Sequence, residues 1–140
     1  DKYYELYPGV KRYMDKIVEE AYSEGSVRTL FNRRRVIPEL NSPEYMVRQA
    51  GERIALNTPI QGTSADIIKK AMVEIFKKFQ EENIRSKMVL QVHDELIFDV
   101  KKEEQEKVEG IVKDIMTHTI TLKVPLKVSA DYGKNWYDTK

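Results

Sequence analysis

The sequence predicts an α+β fold. Apolar residues recur at spacings of three and four along several long stretches, as they do on helices with one buried face. Short alternating or β-branched runs lie between those stretches. The runs come in closely spaced pairs, as the arms of antiparallel hairpins do. The expected order is helix, small hairpin, long broken helix, strand, strand, helix, strand.

Residues 2–24 read as helix, with Tyr3, Leu6, Tyr7, Val10, Tyr13, Met14, Ile17, Val18 and Ala21 on one stripe. Pro8-Gly9 interrupts the stripe, so the helix begins near Gly9 or bends there, and Gly25 is its natural C-terminal cap. Val27 to Phe31 and Arg34 to Ile37 read as strands about a turn at Asn32 and Arg33, giving a small basic hairpin. Ser42 followed by Pro43 starts a helix that runs from about Glu44 toward Asn57. Pro59 and Gly62 are expected to break or kink it, with a second stretch starting around Thr63 or Ser64. That stretch carries Ile67, Ile68, Ala71, Met72, Ile75, Phe76 and Phe79 on one face. Lys87 to Val92 and Leu96 to Val100 read as strands, separated by His93, Asp94 and Glu95. Glu103 to His118 is an amphipathic helix, with His118 where the helix dipole favours a cation. Leu126 to Ala130 alternates as a last strand, which Trp136 and Tyr137 are expected to clamp onto the core. No repeat, low-complexity tract or linker divides residues 1–140, so no internal domain boundary is expected.

At 140 residues, with 41% hydrophobic and 34% charged, the balance is that of a globular chain. It excludes collagen-like, mucin-like and prion-like classes. Twenty-four basic and 23 acidic residues leave a net charge of +1, so any nucleic-acid partner must be met by local clustering. There is no cysteine, hence no disulfide framework, zinc–thiolate site or thiol nucleophile, which fits a reducing cytoplasm. No apolar run approaches the ~20 residues that span a membrane, and no signal peptide is recognisable. The chain opens on Asp1 rather than Met and reads as a piece of something longer.

Three constellations bear chemistry. Val92-His93-Asp94-Glu95-Leu96 squeezes three polar residues between two strands, without the Gly or Asn that a tight hairpin normally uses. Its carboxylates suit a hard cation such as Mg²⁺ or Mn²⁺ better than zinc, although a solvated acidic turn has the same pattern. Arg33-Arg34-Arg35 offers guanidinium forks that match phosphate, or a solvated basic turn. Asn57 and Gln61 flank the Pro59 break, and such amides can donate to base-edge acceptors or simply cap a kink. Arg48 and Arg53 lie upstream on the same helix, where solvent or neighbouring acids are their ordinary partners.

Taken together and in order, three stretches resemble the C-terminal portion of a family A DNA polymerase, the bacterial DNA polymerase I type. They are Thr29-Leu30-Phe31-Asn32-Arg33-Arg34-Arg35, the run from Glu52 to Asp66 containing Asn57-Thr58-Pro59-Ile60-Gln61-Gly62, and Leu90-Gln91-Val92-His93-Asp94-Glu95-Leu96. The similarity extends to Val124-Pro125-Leu126 and Gly133-Lys134-Asn135-Trp136. The resemblance implies an antiparallel palm sheet with a catalytic hairpin, backed by long amphipathic helices, with adjoining fingers elements. It implies that Asp94 is a ligand of a two-metal Mg²⁺ site and that Glu95 is a supporting acid. It also implies that His93, Gln61 and Asn57 lie along the primer–template minor groove, and that Arg53, Arg33, Arg34 and Arg35 approach the DNA backbone. The partners implied are primer–template DNA, a deoxynucleoside triphosphate, and an upstream remainder carrying fingers, thumb and the first catalytic motif, which is absent here. Asn32 departs from the family's usual Gly before the arginines, a small departure because Asn also tolerates a left-handed turn. The rival readings are a non-catalytic nucleic-acid-binding module and a structural domain with a solvated acidic turn.

Overall fold

The computed structural model describes residues 2–139. The chain divides into two compact units between Ser64 and Ala65, inside one long helix.

The first unit holds α1 (Lys2–Leu6), α2 (Pro8–Glu24), β1 (Ser26–Arg28), β2 (Arg34–Val36), a 3₁₀ turn (Pro38–Asn41) and the start of α3 (Tyr45–Glu81). Pro8 lies in the first turn of α2, where its missing N–H costs no helical bond. Gly25 ends α2 at φ 67°, in the left-handed region, and its N–H donates to the Ala21 carbonyl at 2.8 Å. β1 and β2 are antiparallel, with Ser26 opposite Val36, Val27 opposite Arg35 and Arg28 opposite Arg34. Each strand has three residues, shorter than the composition suggests, because the turn takes Thr29 through Arg33. Asn32 sits there at φ 65°, and the Arg28 guanidinium donates to both its carbonyl and its Oδ1. Val27 points the other way, into a core with Ala21, Ile37, Leu40 and Ala55.

α3 is continuous through Pro59 and Gly62, so the expected break does not occur. One proline removes one i→i−4 bond. Pro59 and Thr58 are both buried, and the Thr58 hydroxyl donates to the Ile54 carbonyl at 2.7 Å. Packing here outweighs local propensity.

The second unit holds the remainder of α3, β3 (Lys87–Val92), β4 (Glu95–Asp99), a 3₁₀ turn (Lys102–Glu104), α4 (Gln105–His118) and a final 3₁₀ turn (Tyr137–Thr139). β3 and β4 form an antiparallel hairpin, irregular between Met88 and Leu90. Leu96, Phe98 and Val100 pack on Ile75 and Phe79 of α3 and Val108 of α4. The Phe79 and Phe98 rings lie 5.9 Å apart. This is the expected antiparallel sheet backed by amphipathic helices.

Two expectations for the C-terminal stretch fail. Leu126 to Ala130 forms no strand: Leu126 and Val128 alternate with exposed neighbours, but no strand among the described residues pairs with them. Alternation supplies a face, whereas a strand also needs a partner's hydrogen bonds. Tyr137 is 87% exposed and is no buried clamp. Tyr132 ties this segment to α4, its hydroxyl donating to Glu109 at 2.8 Å and to the Gln105 carbonyl at 3.3 Å. Burial and the Glu109 carboxylate push the Tyr132 phenol up to about 12.

The base of the β3–β4 hairpin is closed by one carboxylate and one hydroxyl. Glu104 accepts the N–H groups of Arg85 and Ser86 and the Ser86 hydroxyl, all within 3.2 Å. Ser86 Oγ in turn accepts the Lys101 N–H at 2.9 Å, joining the residue before β3 to the segment after β4. The Arg85 N–H and then the Ser86 donors hold the Glu104 carboxyl below the usual carboxylate range. A lowered folded pKa stabilises the fold above the ordinary carboxylate pKa of about 4.3, and that contribution is lost as pH falls through the folded value. Melting temperature measured from neutral pH to about pH 3 should therefore fall further in the wild type than in Glu104→Gln, which starts lower and has no charge to lose. Parallel curves for the two proteins would contradict the clamp.

Candidate functional site

The β3–β4 hairpin turns in two residues. Val92 pairs with Glu95, so the loop is His93-Asp94 alone, and Glu95 is the first residue of β4 rather than part of the turn. His93 sits at φ 53°. A side chain in that left-handed region costs roughly 1–2 kcal/mol, and such strain concentrates where function over-determines the backbone. The Gln91 amide donates to the His93 carbonyl at 2.5 Å and holds the turn.

His93, Asp94 and Glu95 are all exposed. Among the described residues neither Asp94 nor Glu95 forms an ion pair. No group of three His, Asp or Glu side chains converges into a metal site among the described residues. The donors present therefore fit a share of a hard-cation site, one or two carboxylate oxygens at a strained tip, and leave the rest of the coordination to groups outside it.

The second group lies in the first unit. Arg53, Asn57 and Gln61 stand one turn apart on the exposed face of α3. With Arg35, Ala50, Ile54, Thr58 and Gly62 they line a groove of about 430 Å³. Arg35 reaches it from β2, its guanidinium 3.5 Å from Thr58 Oγ1. The groove offers two guanidinium groups and two amides, a donor-rich surface suited to phosphate oxygens and to base-edge acceptors. Arg34 stands on the opposite face of the strand from Arg35 and donates through Nε to Ser26 Oγ at 2.9 Å. Arg33 lies in the turn, its N–H donating to Thr29 Oγ1 at 3.2 Å. The arginine triplet is thus one feature in sequence and three environments in space. Arg48, further up α3, donates to the Ser42 and Pro43 carbonyls and secures the helix start.

Gly62 sets how closely the first hairpin approaches α3. A Cβ there would lie 2.7 Å from the Thr29 methyl. The contact is reinforced by the Leu30 N–H, which donates to Thr63 Oγ1 at 3.0 Å. Sequence reasoning reads Gly62 as a helix breaker; its structural part is to let the turn seat on the helix. Gly62→Ala should lower stability by ~1–3 kcal/mol through overpacking, despite the better helix propensity of Ala. In a Thr29→Ser background, which keeps the hydroxyl and removes the methyl, the same change should be neutral or stabilising. Chemical denaturation of the four proteins checks this, and an equal cost in both backgrounds would refute the contact.

A family model described as DNA polymerase family A matches residues 1–138. The chain is 50% identical over all 140 residues to DNA polymerase I of Bacillus caldotenax. It is 51% identical over the same span to DNA polymerase I of Bacillus subtilis (strain 168). It spans 16% of the length of each of these relatives. Among solved structures, the POL domain of Pol1 from M. smegmatis, in complex with DNA primer-template and dNTP, matches with a TM-score of 0.95. That match has 43% identity and covers 98% of this chain and 24% of the other.

Proposed function

The chain belongs to DNA polymerase family A, and we propose that it supplies part of the site for template-directed DNA synthesis in a larger polymerase I-type enzyme. The observation that carries this reading is the hairpin tip: an exposed carboxylate with no cationic partner among the described residues, beside a histidine strained to φ 53°. Two-residue turns do not need that residue choice for their own stability.

In the reaction the primer 3′ hydroxyl attacks the α-phosphate of a deoxynucleoside triphosphate, one P–O bond forms, one breaks, and pyrophosphate leaves. Asp94 supplies one oxygen ligand for Mg²⁺, and Glu95 stands beside it as a supporting acid. Mg²⁺ held there would lower the pKa of the attacking hydroxyl and stabilise charge on the triphosphate. The remaining ligands come from the rest of the polymerase, together with the fingers and thumb. Asn57, Gln61 and His93 donate to minor-groove acceptors of the primer–template. Purine N3 and pyrimidine O2 are common to all base pairs, so such donors test pair geometry without reading sequence. Arg53, Arg35, Arg34 and Arg33 meet the backbone phosphates. A second reading is a nucleic-acid-binding module without catalysis, for which the donor-rich groove of Arg35, Arg53, Asn57 and Gln61 would suffice.

Asp94→Ala separates the two readings. In the full-length protein that carries this chain, primer extension should fall about a thousandfold or more, with affinity for primer–template largely kept. Near-normal extension would leave the binding-module reading. Gln61→Ala should slow extension by ~1–3 kcal/mol at most, chiefly from mismatched primer ends. Single-turnover rates on matched and mismatched primers check this, and unchanged rates on both would count against the groove assignment.

A further inference from the structure

We propose that Arg28 and Arg34 each meet a backbone phosphate of duplex DNA, on the face of the β1–β2 hairpin opposite the groove that Arg35 lines. The proposal rests on the DNA reading above and adds to it a second phosphate contact and a residue, Arg28, that the arginine triplet does not include. The hairpin from Ser26 to Ile37 carries four arginines and no acid. Its register sets Arg28 directly opposite Arg34. Like charges so placed repel across the ladder, and among the described residues neither has an ion pair. Both are exposed.

Each guanidinium is already held in place. Arg28 Nη1 lies 3.3 Å from the Asn32 carbonyl and 3.1 Å from its Oδ1, and Arg34 Nε lies 2.9 Å from Ser26 Oγ. Part of the ordering cost of binding is thereby met before the ligand arrives. Each guanidinium has further N–H donors for a phosphate oxygen, and phosphates bound on this face would offset the repulsion between the two cations.

Arg28 has an evident structural task as well, steadying Asn32 at φ 65°. The test must separate the two. Asn32→Gly removes the need for that support, because Gly adopts positive φ freely. In the full-length protein, binding to a fluorescent primer–template duplex is followed by anisotropy across a KCl series, for the wild type, Arg28→Gln, Asn32→Gly and the double variant. Each phosphate neutralised contributes about 0.9 to the slope of log K against log salt. Arg28→Gln should therefore lower the slope by about 0.9 and the affinity roughly eightfold at 0.1 M salt, and the double variant should lose as much relative to Asn32→Gly alone. Arg28→Lys should keep most of the slope. An undiminished slope in the double variant would show that Arg28 serves the turn alone and would overturn the proposal. Absence of DNA binding by the wild type would instead defeat the DNA reading itself, so the two failures are distinguishable.

Discussion

The continuity of α3 through Pro59 is the constraint on which the groove of the first unit depends. The helix contributes Ala55 to one core and Ile75 and Phe79 to the other. It also sets Arg53, Asn57 and Gln61 in a row, which holds only if the 3.6-residue period runs unbroken through Pro59. A proline inside a helix costs ~3 kcal/mol or more, and burial of Thr58 and Pro59 beside the first hairpin opposes that cost. The most improbable residue in the helix is thus where packing is tight, between Asn57 and Gln61 of the groove.

The same logic governs the two hairpins. Each carries its chemistry at a turn with a left-handed residue that has a side chain, Asn32 in one and His93 in the other. Each turn is steadied by a side chain rather than by glycine: Arg28 bonds Asn32, and Gln91 bonds the His93 carbonyl. The ends of the second hairpin are closed by Ser86 and Glu104. The net charge of +1 conceals this segregation, with arginines and amides on one unit and an exposed acidic tip on the other.

Much of this was legible in the residues. The αL cap at Gly25, the amphipathic faces of α3 and α4, and the hairpin around His93-Asp94 follow from local chemistry acting over a few positions. The i, i+4 spacing of Arg53, Asn57 and Gln61 puts them on one face only because the helix continues through Pro59, against the expected break. What was not legible depends on long-range contact. Pro59 and Gly62 carry strong local signals for a break, yet the helix continues through both and Thr29 packs against Gly62, a contact that local pattern does not reveal. Leu126 to Ala130 has the alternation of a strand without a partner among the described residues. Glu95 belongs to β4 because the ladder closes one residue earlier than composition suggests. Tyr132 ties the last segment to α4 because its hydroxyl reaches Glu109, a contact 23 residues away in sequence. Arg28 was missed because its significance lies in register, as the residue opposite Arg34.

Whether Asp94 at the hairpin tip holds metal in a nucleotidyl-transfer site can be read by mapping where a bound metal lies. In the full-length protein on primer–template DNA, Fe²⁺ replaces Mg²⁺, and ascorbate with peroxide generates hydroxyl radicals that cut the chain near the ion. The account predicts cuts within residues 92–95, competed by Mg²⁺ and lost in Asp94→Ala. Cuts confined to other segments, or a pattern unchanged by Asp94→Ala, would contradict it.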